Sequence, residues 1–193
     1  MLSVPGKGEE KADCAVSRVR AMFPAATGPL VVHRLDMDTS GLLVMGLNPD
    51  SQRDLSMQFE FRKTEKRYIA LVGGLVEVDQ GDISLPMRAD LTNRPYQIVD
   101  HALGRPAQTH FRVMAREIDR TRIEFEPITG RSHQLRVHAA APRESGGLGH
   151  PILGDILYGD SASAPRLMLH ATYLSFCEPD GGQRIEFTSP SEF

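Results

Sequence analysis

Gln108-Thr109-His110-Phe111-Arg112-Val113-Met114-Ala115, followed after five residues by Thr121-Arg122-Ile123-Glu124-Phe125-Glu126, is the stretch that decides the fold class. Ile123 and Phe125 fall on one side of an alternating pattern and Arg122, Glu124 and Glu126 on the other, which predicts strands with one buried face, next to each other in sequence. Outward from this pair, 67–73 (RYIALVG) reads as a strand, with shorter strand signals at 83–85, 97–99, 167–170, 173–176 and 184–188. Near the start, 29–35 and 41–47 (GLLVMGL) predict two further strands, the second buried on both sides, around the polar turn Asp36-Met37-Asp38-Thr39-Ser40. Helices are expected singly. One covers 12–23 and stops at Pro24; one is capped by Asn48, with Pro49 in its first turn, and runs to about Phe61, burying Leu55, Met57, Phe59 and Phe61; one covers 132–141 and stops at Pro142. Residues 143–149 read as a loop. Hairpin-like neighbours outnumber βαβ units, so the class is α+β with a mixed, largely antiparallel sheet flanked by helices and loops.

The chain has 193 residues, the size of one domain. Its 40% hydrophobic and 24% charged content places it among ordinary globular proteins. No run approaches the ~20 apolar residues that span a bilayer, and Lys7, Glu9, Glu10 and Lys11 stand where a secretory signal would be apolar, so a cytoplasmic protein without a membrane partner is expected. Cys14 and Cys177 form no CxxC pair, which leaves neither a disulfide framework nor a zinc finger. The net charge of -3 argues against coating nucleic acid by bulk positive charge. The 22 basic residues, however, are 18 Arg and 4 Lys. An Arg-dominated set suits phosphate contact and also matches GC-rich coding, so placement along the chain must decide.

The chemistry-bearing segment is His33-Arg34-Leu35-Asp36-Met37-Asp38-Thr39-Ser40-Gly41. It delivers an arginine and a carboxylate from the end of one apolar segment into a polar turn beside another, where a reactive group can be held rigidly. Taken by itself, the same Asp could simply cap a turn. Asp-Thr-Ser-Gly is similar to the Asp-Thr-Gly of aspartic proteases, but those need two such loops to share a proton, and one is present. Asp36 and Asp38 resemble the aspartate pair of haloacid-dehalogenase-like phosphatases. That family also wants a later Lys, and none follows Lys66; its second acidic pair is out of step here, with Asp155 and Asp160.

A third reading absorbs more of the chain. His33-Arg34-Leu35-Asp36 with Thr39-Ser40-Gly41-Leu42-Leu43 resembles the catalytic signature of the RluA-type pseudouridine synthases. Lys66-Arg67-Tyr68-Ile69-Ala70 is similar to that family's Lys-x-Tyr strand, and Gly130-Arg131-Ser132-His133-Gln134-Leu135-Arg136-Val137-His138 to its second signature. Gly149-His150-Pro151-Ile152-Leu153-Gly154-Asp155, Tyr158-Gly159 and Arg166-Leu167-Met168-Leu169-His170-Ala171 resemble its closing motifs. Five ordered matches cover 30–171, and their order makes the set specific. Leu2-Ser3-Val4-Pro5-Gly6, Asn93-Arg94-Pro95 and 104–109 are further similar to the RluA subgroup, whose members modify a large-subunit rRNA hairpin and a tRNA anticodon stem-loop.

The resemblance implies the pseudouridine synthase fold in a single catalytic domain over 1–193, short at its N-terminus by the family's first strand and without the accessory RNA-binding domain of some relatives. It implies an isomerase that needs no cofactor and no metal, works on RNA, and acts as a monomer. Asp36 is implied as the essential carboxylate, adding to the base or sugar or taking a sugar proton, with Arg131 as its candidate cation. Tyr68 is implied to lie against the target base, Arg34 to fill the gap left by a flipped uridine, and Leu135 to wall the base pocket. Two cationic stretches flank the signatures: Arg62, Lys63, Lys66 and Arg67, and 127–143, where three Arg and two His occur with no acid. Arg62, Lys66, Arg67, His133, Gln134 and Arg136 are therefore expected at the RNA-contacting rim. Arg112, Arg116, Arg120 and Arg122, interspersed with acids, suit solvated helix faces. An inactive or truncated RNA-binding module remains the non-enzyme alternative.

Overall fold

The structure is a computed structural model that describes residues 1–6 and 12–193. The chain divides into two compact units, Met1–Glu65 with Thr172–Pro190, and Lys66–Ala171 with Ser191–Phe193.

The first unit holds helix α1 (Ala15–Met22), the two-residue strand β1 (Ser40–Gly41) and helix α2 (Pro49–Glu60). Strand β8 (Leu169–Cys177) enters it at Thr172, and β9 (Arg184–Thr188) pairs with β8 antiparallel, Leu174 opposite Phe187 and Phe176 opposite Ile185. Helix α1 begins later than the sequence pattern suggests. Cys14 caps it: Sγ accepts from the Ser17 N–H while the Ser17 hydroxyl accepts from the Cys14 N–H, a reciprocal arrangement that fixes where helical geometry can start. Helix α2 begins as expected, with Asn48 as cap and Pro49 in the first turn. Its buried side differs: Leu55 and Gln58 are covered, whereas Met57 and Phe61 are about half exposed. The Gln58 amide explains the difference. It donates to the Cys177 carbonyl (2.7 Å) and accepts from the Cys177 N–H (2.8 Å), so a polar side chain takes a core position by completing the backbone of β8.

The strands expected at 29–35 and 41–47 do not form as such. An isolated bridge, Val31 to Met45, joins the two segments, and β1 is the one short strand there. Leu30 takes a positive φ of 64°, which breaks extended geometry at the entry, and residues 42–45 are half-buried rather than buried on both sides. Side chains satisfy the backbone instead: Gln52 Nε2 donates to the Val31 carbonyl (2.7 Å), and the Val44 N–H donates to His33 Nε2 (3.2 Å).

The second unit is built on β2 (Glu65–Gly73, entering at Lys66), β3 (Gln80–Ser84), β6 (Gln108–Arg116) and β7 (Arg120–Pro127), in the order β2-β7-β6-β3 with every pairing antiparallel. The opening pattern is realised. Ile123 and Phe125 are fully buried beside Ala70, Val72, Phe111 and Leu135, and burying a side chain the size of Ile123 or Phe125 contributes about 1.5–3 kcal/mol. Strands β4 (Met87–Ala89) and β5 (Gln97–Val99) make a separate hairpin, and β4 had no sequence signal at three residues long. The two strands expected at 167–170 and 173–176 are one, β8, because Ala171 and Thr172 continue the extended chain. Helix α3 (Gln134–Ala140) packs Leu135 and Ala139 into the core. Arg112, Arg116, Arg120 and Arg122 lie on β6 and β7, ion-paired with Glu124, Asp79, Asp119 and Glu117, so the solvated face that suits them is a strand face. No helix among the described residues is long and apolar enough to cross a membrane.

Candidate active site

In the first unit, alternation along 33–36 turns His33 onto Phe59 of α2, ring centroids 4.4 Å apart and planes 15° from parallel, and leaves Arg34 exposed. Asp36 follows, half-buried, and a tight turn closes behind it with the Thr39 N–H donating to the Asp36 carbonyl (3.0 Å). The carboxylate therefore stands on backbone held at both ends: behind by α2 and 42–46, ahead by its own turn. Leu35 between them is gripped by Ser3, whose hydroxyl donates to the Leu35 carbonyl (2.9 Å) and accepts from the Leu35 N–H (3.0 Å). Arg62 is exposed beyond the end of α2 at a positive φ of 56°.

In the second unit, Lys66, Arg67 and Tyr68 lie at the N-terminal end of β2, all half-buried, with Tyr68 opposite Phe125 of β7 and packed on the core. The second signature makes a turn before α3, and the helix starts two residues later than expected. His133 sits in the left-handed region (φ 55°), so regular helix cannot include it. Gln134 then locks the turn. Its Oε1 accepts from the Arg131 N–H (3.0 Å) and from Thr129 Oγ1 (2.7 Å), and its Nε2 donates to the Gln108 carbonyl (2.9 Å) and Thr109 Oγ1 (3.0 Å). All four hydrogen-bonding capacities of the amide are used internally. Arg131 projects from this braced turn, its Nε donating to the Pro106 carbonyl (3.1 Å).

Two residues expected at the RNA-contacting rim, Gln134 and Arg136, are placed differently, while Leu135, expected as a wall of the base pocket, is buried. Gln134 is buried and committed to the turn, and Leu135 is a core residue. Arg136 corrects the reading most clearly: its side chain is 4% exposed and pairs bidentately with Asp155, Nε to Oδ2 at 2.8 Å and a terminal nitrogen to Oδ1 at 2.6 Å. Its guanidinium also lies 5.2 Å from the centre of the Tyr158 ring. The positive charge that the sequence offers RNA is spent inside the protein. Asp155 Oδ1 also accepts from the Leu157 and Tyr158 N–H groups; burial pushes its carboxyl upward, and these bonds with Arg136 outweigh it and hold the group below the usual range. Tyr158 passes the order on, its hydroxyl accepting from the Gln97 N–H (2.7 Å) and meeting His133 Nδ1 (2.8 Å). The sequence signal for this pair is the Gly154-Asp155-x-x-Tyr158 spacing, which puts a buried acid and an aromatic on one turn.

Comparison with known proteins gives these two halves a common identity. The family model for RNA pseudouridylate synthase matches residues 1–141, which contain both signatures, and the chain belongs to that family. Among curated relatives it is 44% identical over 197 aligned positions to the dual-specificity RNA pseudouridine synthase RluA of Escherichia coli K12, covering 100% of this chain and 86% of that protein. The protein of the same description from Yersinia pestis is 45% identical, with 91% of its length covered. Among solved structures, human RNA pseudouridylate synthase domain containing 1 superposes with a TM-score of 0.77 at 30% identity, over 93% of this chain and 75% of the other. Human RNA pseudouridylate synthase domain containing 4, at 20% identity and a TM-score of 0.75, shares the fold.

Proposed function

We propose that this protein is an RNA pseudouridine synthase of the RluA type, acting in the cytoplasm as a single catalytic domain, a monomer without cofactor or metal. Its substrate is a uridine in a structured RNA loop, in a large-subunit rRNA hairpin, a tRNA anticodon stem-loop or both. The observation that carries this reading is the match of 1–141 to the family, which spans Asp36 and Arg131 in their signatures. Family membership and the full-length similarity to RNA-modifying enzymes replace the phosphatase and the inactive-module alternatives.

The reaction breaks the N1–C1′ bond, turns the base, joins C5 to C1′, and exchanges the C5 hydrogen for a proton on N1. Asp36 supplies the essential carboxylate, and its placement on a braced turn supports that role, since a reacting group displaced by 1 Å can lose about 100-fold in rate. Tyr68 and Arg131 serve the same chemistry on the strength of their motifs. Arg34, exposed two residues before Asp36, replaces the flipped base in the RNA stack. Arg62, Lys66, Arg67 and His133 contact RNA; Gln134, Leu135 and Arg136 act by holding the turn.

Asp36→Asn tests the assignment with shape preserved. Tritium release from 5-tritiated uridine in RNA should be abolished while RNA affinity stays within a few-fold. Turnover near the wild-type rate would remove Asp36 from the chemistry.

A further inference from the structure

The segment bearing Asp36 has a structural problem that its sequence conceals. Among the described residues of the first unit, 33–36 pair with no strand, so the N–H and C=O of Leu35 find no ladder partners there. A strand partner would supply an acceptor and a donor to one residue from the same side. Ser3 does this with a single atom: its Oγ takes the Leu35 N–H at 3.0 Å and gives its proton to the Leu35 carbonyl at 2.9 Å. The hydroxyl is well covered, the residue being 8% exposed, so water competes poorly for either bond.

Ser3 is itself anchored. Leu2 bridges Cys14 in parallel register, the Ala15 N–H donates to the Leu2 carbonyl (2.9 Å), and the Val16 N–H donates to the Ser3 carbonyl (3.3 Å). The arm thereby satisfies two of the orphan N–H groups at the start of α1. Leu2 and Val4 also pack on the buried cluster of Cys14, Val16 and Leu30. Order runs from α1 through the arm to Leu35, and Leu35 is covalently joined to Asp36.

We propose that Ser3 is a positioning residue for the reaction: its hydroxyl sets the backbone on which the Asp36 carboxylate is carried, without touching substrate. This rests on the reading of Asp36 as the essential carboxylate. Ser3→Ala removes one oxygen, leaves the apolar arm to dock, and frees Leu35 to shift. The expected result is a single-turnover rate about 10- to 100-fold lower on saturating stem-loop RNA, the range for a sub-ångström to 1 Å displacement of a reacting group. RNA affinity should stay within about two-fold of wild type, because Ser3 carries no charge and contacts no phosphate. Ser3→Thr keeps the oxygen and should recover most of the rate, whereas Ser3→Val keeps the volume without it and should behave like Ser3→Ala. Thermal unfolding of each variant separates local from general damage. A wild-type rate in Ser3→Ala would overturn the proposal, and so would losses of rate and affinity in step with the melting temperature, equal for Thr and Val. Asp36→Asn measured alongside distinguishes the two levels: if it stays active, the reading of the site fails whatever Ser3 does; if it is dead and Ser3→Ala is normal, Ser3 alone is wrong.

Discussion

Arg34 and Arg136 illustrate how far a residue's chemistry depends on where its backbone goes. Both stand in signature motifs, both are arginines, and one is exposed beside Asp36 while the other is buried against Asp155. Arg34→Ala should therefore cost activity mainly on RNA whose target base is stacked. The comparison is a folded stem-loop against an unstructured strand of the same sequence, and equal losses on both would remove the base-replacing role. His138 shows a third environment. It is fully buried with Nδ1 against Thr109 Oγ1 (2.9 Å), and burial, against a smaller opposing pull from the Leu85 backbone, pushes it down to about 4. Its folded value lies below the unfolded one of ~6.5, so the unfolded chain binds the proton first. Stability is complete above about pH 6.5 and declines as pH falls toward 4, by roughly 2 kcal/mol between pH 7 and 5 for this group. Urea unfolding at the two pH values should show the loss, and His138→Gln should flatten it. An unchanged slope in that variant would place the acid sensitivity elsewhere.

At the scale of elements, the turn before α3 is held by buried polar groups rather than by helix propensity. Asp155→Asn leaves the Arg136 guanidinium buried without a counter-charge and should destabilise the fold by about 3–5 kcal/mol. Arg136→Met with Asp155→Leu removes both charges and should cost much less, because no ion is left uncompensated. Chemical denaturation of the two variants decides this, and equal losses would mean that packing, not charge pairing, dominates. Because the Asp155 carboxyl is held below its unfolded range, its share of stability is present above about pH 4 and disappears as pH falls through the lowered folded value. These elements also mark what the sequence could and could not reveal. The hairpin of β6 and β7 was legible because its alternation of Ile123 and Phe125 with Arg122, Glu124 and Glu126 is a local, two-residue period. The segments 29–35 and 41–47 looked equally strand-like and are not, because their backbone partners are side chains, Gln52, His33 and Ser3, chosen by tertiary structure. The burial of Gln134 and Arg136 was not legible, since a seven-residue helix with cations reads the same facing in or out.

For the molecule as a whole, net charge -3 is compatible with RNA binding when the cations are grouped and the acids are paired elsewhere. The three cations proposed for phosphate contact, Arg62, Lys66 and Arg67, imply a slope of log affinity against log salt of about −2 for single-stranded loop RNA. A salt-independent affinity would contradict phosphate contact by these residues. Single replacement of Arg62 should reduce the slope by about 0.7 without changing which uridine is modified. The division into two units has a further consequence, in the order of synthesis. Residues 1–65 are made before 172–190, yet α2 buries Leu55 against Leu174 and Phe176, and Gln58 completes its bonds on Cys177, residues made more than a hundred positions later. The segment carrying Asp36 is thus made well before its unit can close. A nascent chain halted before residue 172 should leave that segment open to protease, and extension through residue 190 should protect it, so that order around Asp36 arrives with β8 and β9 rather than with the segment itself.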